Sequence, residues 1–319
     1  MLASTNIFNL MKTLTMGTRG SALALAQARQ FARDLEAIHP DLTVEERIIR
    51  TTGDKQQGQP LPEIGGKGVF TLEIEDALLK GEIDFAVHSL KDLPPLMPDG
   101  LVLACVPLRE SPADALILRS DSDSWAAVNA EMPELPMGAK VGTSSLRRAA
   151  MLRHIRPDLV VESVRGNVET RLMKLETQGF HAIVLARAGL RRLEVEGIDA
   201  RNLPESWFIP APGQGALAIQ SRIDDVNTRA ILLGLEDAPT RAAIEAERAI
   251  VSALNAGCST PLGALARAYG DAISINAAVL SPDGTRRISV HVQGSGAPEV
   301  IGGRAARSLL DKGALELLV

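Results

Sequence analysis

VGTSSLRRAAMLRHIRPDLVVE, Val141–Glu162, is the stretch on which the reading of this chain turns, because the chain has written it once before. The earlier version is MGTRGSALALAQARQFARDLEAIHPDLTVE, Met16–Glu45. In both, an apolar strand-like run reaches Gly17-Thr18 or Gly142-Thr143, a Ser follows, a helical pattern opens, and the helix ends at a His-Pro-Asp-Leu or Arg-Pro-Asp-Leu phrase. The copying continues downstream. GVFTLEIEDALLKGEIDFAV begins at Gly68 and GNVETRLMKLETQGFHAIVL at Gly166, and in each the next glycine comes thirteen positions later, at Gly81 and Gly179.

Each half therefore spells strand, Gly/Ser turn, helix, strand, second helix, strand. That alternation predicts an α/β protein whose two parallel or mixed sheets carry helices on their faces. Ligands of such sheets sit where strands end and helices begin, because a helix start offers unpaired N–H groups and partial positive charge. Two such ends facing each other make a cleft suited to negative charge. Arg147 and Arg148 in the first helical turn oppose the helix dipole, a local cost that makes sense when an anion occupies the site.

The bulk composition agrees. A chain of 319 residues predicts two or three domains, and 45% hydrophobic with 23% charged residues excludes disordered and disulfide-scaffold classes. Aromatics at 3% and a net charge of -5 argue against a general nucleic-acid surface. Of the 34 basic side chains 26 are arginine, and the segment from Gly142 to Arg192 carries +6 while the remainder carries -11. The arginine fork binds carboxylate or phosphate in bidentate fashion, so this local excess points to a small polyanion in a cleft. Solvated helix faces are the competing reading of any single arginine. Cys105 and Cys258 are the two cysteines, which implies no disulfide framework and suits a reducing cytoplasm. No run has the length of a membrane span, no signal peptide is read, and a start at Met11 is expected because Met11–Ser21 already holds a strand and a turn.

Two Pro- and Gly-containing stretches read as crossings between the halves: PLRESPADALIL, Pro107–Leu118, and LPESWFIPAPGQGALAIQ, Leu203–Gln220. Beyond Asp237 the pattern changes to one helix, two alternating strands about Pro282-Asp283-Gly284, and a last helix, a separate α+β unit.

Three stretches carry candidate chemistry. AVHSLKDLP, Ala86–Pro94, sets His88, Ser89, Lys91 and Asp92 behind an apolar strand, where a carboxylate can take a proton or stabilise a developing cation; a solvated Lys-Asp turn is the alternative. IGGKGVF, Ile64–Phe70, is Gly-rich and reads as a lid, without the spacing of a nucleotide loop. Cys258 lies in NAGCSTPLG at a helix end, reachable and open to a chemical role, whereas Cys105 in LVLACVPL reads as core. Neither has the neighbours of a thiol protease or a metal cluster.

In this order, GTRGSALALAQA, IGGKGVF, AVHSLKDLP, VGTSSLRR, VRGNVETRL, PAPGQGA and AGCSTPLG resemble the porphobilinogen deaminase (hydroxymethylbilane synthase) family of tetrapyrrole and haem synthesis, from about Met16 to the last helix. The resemblance implies two periplasmic-binding-protein-like (type II) α/β domains around a cleft, residues 11–109 with 212–234 and residues 113–209, plus a small α+β domain, 238–319. It implies a transferase that deaminates porphobilinogen and joins four units onto a dipyrromethane cofactor held through a thioether by Cys258. Asp92 matches the catalytic carboxylate. Lys91, Arg147, Arg148, Ser89, Thr143, Ser145 and Arg165 match cofactor contacts; Arg19, Ser21, Gln27, Arg165, Arg171, Arg192 and Lys67 match substrate contacts. A cytoplasmic monomer needing no metal, nucleic acid or membrane is expected.

The chain departs from the family pattern at Glu63, where a lysine often precedes the lid glycines, at Ala256 and Ser259 around the cysteine, and at His181, where an acid is frequent. Two other classes stay open on the residues alone: a binding module that carries a small anion without chemistry, and a cysteine-dependent acyl or amido transferase.

Overall fold

The protein's structure, a computed structural model, describes residues 12–55, 71–121, 135–257 and 260–317. Strands β1 (Lys12–Thr18), β2 (Leu42–Ile48), β3 (Phe85–Ser89) and β4 (Leu101–Cys105) build a first sheet. A second holds β5 (Asp114–Leu118), β6 (Lys140–Gly142), β7 (Val160–Glu162), β8 (Ala182–Ala186) and β9 (Ala200–Asn202). The chain then returns, and β10 (Leu217–Arg222) joins the first sheet.

The two sheets have one topology. Their orders are β2-β1-β3-β10-β4 and β7-β6-β8-β5-β9; the first three strands of each run parallel, and β10 or β5 lies antiparallel to both its neighbours. Each crossing thus delivers its strand to the lobe it has just reached, so two peptide segments join the lobes. The duplication legible in the sequence is a duplication of fold, and the expected pair of α/β lobes is what forms.

The helices on these sheets are α1 (Ala22–Ile38), α2 (Thr52–Lys55), α3 (Leu72–Leu79), α4 (Leu146–Ile155), α5 (Val168–Thr177), α6 (Arg187–Arg192) and α7 (Val226–Leu232). Phe31 and Leu35, one turn apart on α1, bury against Met16, Phe85 and Ile219, which makes the first core. Met151 and Leu152 of α4 do the same against Val141 and Val184 in the second. Gly17 and Gly142 stand at equivalent strand ends for a steric reason. A Cβ there would lie 2.3 Å from Ile83 Cδ1, just before β3, or 2.9 Å from Ile183 Cγ2 on β8.

The third unit is α8 (Ala238–Ala253), β11 (Leu262–Tyr269), β12 (Ala272–Leu280), β13 (Arg287–Ser295) and α9 (Pro298–Asp311), with sheet order β11-β12-β13. It has three strands where the alternation predicted two. Strand β11 escaped because its first five residues are all buried: Leu262, Ala264 and Ala266 face this unit's own helices, and Leu265 enters the second lobe's core with Ala278 and Leu280. A strand covered on both faces has no polar alternation to read. On the other side, Ile244 of α8 packs with Leu90, Leu93, Ala216 and Ala218 of the first lobe. The unit therefore touches both lobes. Among the described residues no helix is long and apolar enough to cross a membrane.

Candidate active site between the lobes

The two helix starts are built alike. Ser21 Oγ accepts the N–H of Ala24 at 3.3 Å and Ser145 Oγ that of Arg148 at 3.4 Å, capping α1 and α4. The helices also end alike, at His39 (φ -129°, ψ 80°) and Arg156 (φ -132°, ψ 81°). Thr143 is buried behind the second cap, where its Oγ1 accepts the Ser145 N–H at 3.2 Å.

Arg147 and Arg148, though polar and charged, are buried. Their counter-charge comes from the protein. Arg148 Nε donates to Asp114 Oδ1 at 2.8 Å, and Arg147 Nη1 is ion-paired with Asp114 Oδ2 at 2.7 Å while donating to the Ile209 carbonyl at 2.8 Å. Burial alone would raise the Asp114 pKa, but the two guanidinium groups outweigh it and hold the carboxyl at about 2. One carboxylate against two arginines leaves the start of α4 with excess positive charge.

Asp92 closes a short 3-10 turn, Leu90–Asp92, directly behind β3. Its side chain is exposed, and its carboxylate takes no hydrogen bond from any other described residue. Beside it, Lys91 Nζ reaches Gln214 Oε1 at 3.5 Å, and Arg148 Nη2 reaches the same oxygen at 3.3 Å. A side chain of the return crossing thus joins a cation of the first lobe to one of the second. Desolvation by the surrounding protein, then Arg148 and Arg147, lower the Lys91 pKa to about 8 against Asp92 and Asp114, although the residue is exposed by its surface area. Behind the turn, Gln27 Nε2 donates to Ser89 Oγ at 2.9 Å. His88 points into the sheet, bonded to Gln220 at 3.1 Å, and burial lowers its pKa to about 4, so it stays neutral and away from the cleft.

The remaining arginines gather from both lobes. Arg171 Nε is buried without an acceptor among the described residues, and burial together with the charges of Arg148 and Arg165 lowers its pKa. Arg192 Nη2 donates to the Gly215 carbonyl at 2.7 Å. Arg19 is half-buried at the first lobe's helix start, near enough for its charge to depress His88 further. Lys67, Glu63 and the Ile64–Phe70 stretch, and Cys258 with Ser259, lie outside the described residues. His181 has a backbone role: its Nδ1 accepts the Lys140 N–H at 3.0 Å.

Sequence reasoning missed Asp114, Gln214, Arg109, Glu247 and Arg248. Glu247 of α8 is fully buried; its carboxylate accepts Arg109 Nη1 at 2.7 Å and the N–H groups of Gly213 at 2.6 Å and Ala266 at 2.8 Å. It therefore fastens both crossings to the third unit. Arg248 Nη2 donates to the carbonyls of Pro94 and Pro95, at 2.9 and 2.7 Å, just past Asp92. The helix that leads to Cys258 thus braces the Asp92 turn. The usable signal for Asp114 was a lone acid in an otherwise apolar run, whereas Glu247 sits among Arg241, Glu245 and Arg248 on α8 and carries no such signal. No cluster of metal-ligating side chains is present among the described residues.

Comparison with known proteins gives concordant results. The family model for "Porphobilinogen deaminase, dipyromethane cofactor binding domain" matches residues 14–230, and that for "Porphobilinogen deaminase, C-terminal domain" matches residues 242–311. The porphobilinogen deaminase of Sorangium cellulosum (strain So ce56) is 50% identical over 273 residues, covering 86% of this chain and 88% of its own. That of Desulforudis audaxviator (strain MP104C) is 45% identical over 308 residues, covering 96% and 97%.

Proposed function

The chain belongs to the porphobilinogen deaminase family, and on that premise we propose how its own residues perform the reaction. The protein deaminates porphobilinogen and polymerises it into the linear tetrapyrrole hydroxymethylbilane, with a dipyrromethane cofactor. The observation that carries the residue assignment is the meeting of Lys91, next to Asp92, with Arg148 at Gln214.

The residues fit the cofactor. A dipyrromethane bears several carboxylates, and the cleft offers Arg147, Arg148, Arg165 and Lys91, of which Arg147 and Arg148 share the buried carboxylate of Asp114, beside Arg171, whose Nε has no acceptor among the described residues. Ser89, Thr143 and Ser145 add hydroxyl groups at the strand and helix ends. Cys258 is the proposed anchor, and the bound group supplies the free pyrrole position that accepts the first unit. Arg19, Ser21, Gln27, Lys67, Arg165, Arg171 and Arg192 would take the acetate and propionate of each arriving porphobilinogen.

Asp92 does the chemistry in this reading. The aminomethyl C–N bond breaks, ammonia leaves with the bonding pair, and the pyrrole nitrogen supplies electrons, so a cationic azafulvene forms. A fixed carboxylate beside it lowers the cost of that charge. The same carboxylate can then take the proton lost from the ring carbon when the new C–C bond forms. The exposed Asp92 carboxylate, with no other described residue bonded to it, suits both duties.

The three sheets support a division into 11–109 with 212–234, 113–209, and 238–319. A cytoplasmic monomer belongs to the same proposal. Intact mass tests the assignment. Purified protein is expected to exceed its chain mass by two pyrrole units and Cys258→Ser protein to lack them; active protein of unmodified mass would overturn the anchor.

A further inference from the structure

The return crossing is more than a tether. Three of the proposed cleft cations donate to two consecutive residues in it: Lys91 Nζ and Arg148 Nη2 to Gln214 Oε1, at 3.5 and 3.3 Å, and Arg192 Nη2 to the Gly215 carbonyl at 2.7 Å. Gln214 is almost wholly buried, and its Nε2 donates in turn to Asp114 Oδ1 at 2.9 Å and to the Pro112 carbonyl of the other crossing at 2.7 Å. Its own carbonyl accepts Arg109 Nε at 2.8 Å. The backbone here is specialised. Gly213 and Gly215 have φ of +75° and +89°, and a Cβ on Gly215 would sit 2.3 Å from the Glu110 carbonyl. The two crossings are therefore pressed together at the point where the cations attach.

We propose that Gln214 and Gly215 are positioning residues that hold Lys91, Arg148 and Arg192 as stand-in acceptors and surrender them to pyrrole carboxylates, so that filling the cleft loosens the crossings between the lobes. This rests on the reading of the cleft as the pyrrole-carboxylate site. The driving chemistry is acceptor exchange: a carboxylate binds a guanidinium or ammonium donor more strongly than an amide or peptide oxygen does. Arg148 keeps Asp114 throughout, whereas among the described residues Lys91 and Arg192 hydrogen-bond to the crossing's neutral oxygens, with the charges of Asp92 and Glu110 respectively nearby. Each transfer removes a bond that ties the crossing to one lobe. The cleft then becomes easier to widen as the chain inside it lengthens, which a polymerising site requires and a fixed cleft would resist.

Hydrogen exchange of peptides covering 109–113 and 211–216 tests this on the holoenzyme, with porphobilinogen as the probe and intact mass recorded on the same samples. The holoenzyme's cofactor already competes for Lys91 and Arg148, so exchange is expected to quicken as added units complete their withdrawal from Gln214 and draw Arg192 from Gly215, by about 10-fold from the unloaded to the most loaded complex. Gln214→Met protein should exchange fast before any substrate is added. Stepwise mass gain with unchanged or slower exchange overturns the inference while leaving the catalytic reading intact. Absence of any mass gain from porphobilinogen overturns the catalytic reading itself. The wild-type series decides the matter even where Gln214→Met does not fold.

Discussion

Arg148 Nε lies 2.8 Å from Asp114 Oδ1, with both side chains buried, one on α4 and the other on the first residue of β5. That pair joins the helix start that faces the cleft to the strand brought in by the first crossing. The anion beneath α4 is thus internal, and only the charge it leaves over is available to a ligand.

Asp114→Asn should leave two buried guanidinium groups uncompensated. A loss of about 3–5 kcal/mol is expected from urea unfolding at neutral pH, in line with breaking a buried pair from one side. The pH dependence has a definite sign. The folded carboxyl titrates at about 2, below its ordinary ~3.9, so the stabilisation is complete above the ordinary value and disappears as pH falls toward the folded one. The substitution should flatten the stability curve in that window; an unaltered curve would show that Asp114 is not the group titrating there.

Asp92→Ala should separate chemistry from folding. The side chain is exposed and takes no hydrogen bond from another described residue, so stability should change by less than about 0.5 kcal/mol. Ammonia release should fall by at least ~100-fold, the usual scale for losing a proton-transfer group, while the pyrrole adduct remains in the mass spectrum. Normal ammonia release would take Asp92 out of the mechanism.

Lys91 titrates at about 8, so it is cationic below that pH and neutral above it. The carboxylates of the bound cofactor should lose one attraction as pH rises past this point. kcat is expected to fall there as the cofactor is held less firmly, and Lys91→Arg, which keeps its charge, should remove the fall. A kcat profile identical in the two proteins would assign the titration elsewhere.

Glu247→Gln should loosen the junction of the three units. The buried carboxylate accepts Arg109, Gly213 and Ala266, and its neutralisation leaves Arg109 without its ionic partner, at about 3–5 kcal/mol. Calorimetry should show a lower Tm, and limited proteolysis should cut near the crossings. Arg304→Ala, on the exposed face of α9, should do neither. Equal effects at both positions would mean that overall charge, and not its placement, governs the junction.

The sequence by itself determined what is local or periodic. Paired Gly-Thr-Ser helix starts, matching helix ends and apolar runs specified two copies of one α/β unit, because capping and strand-end packing act over a few residues. The arginine excess of residues 142–192 likewise announced an anion site, and Lys91-Asp92 stood at a strand end. Only the tertiary structure decided which charges meet. Asp114 finds Arg148 across 34 positions, Gln214 finds Asp114 across 100, and Glu247 finds Arg109 across 138. Those meetings depend on which sheet each crossing strand enters, and no spacing rule records that choice. Strand β11 was hidden for a related reason: the third unit covers one of its faces and the second lobe the other, and burial on both sides erases the alternation by which a strand is recognised.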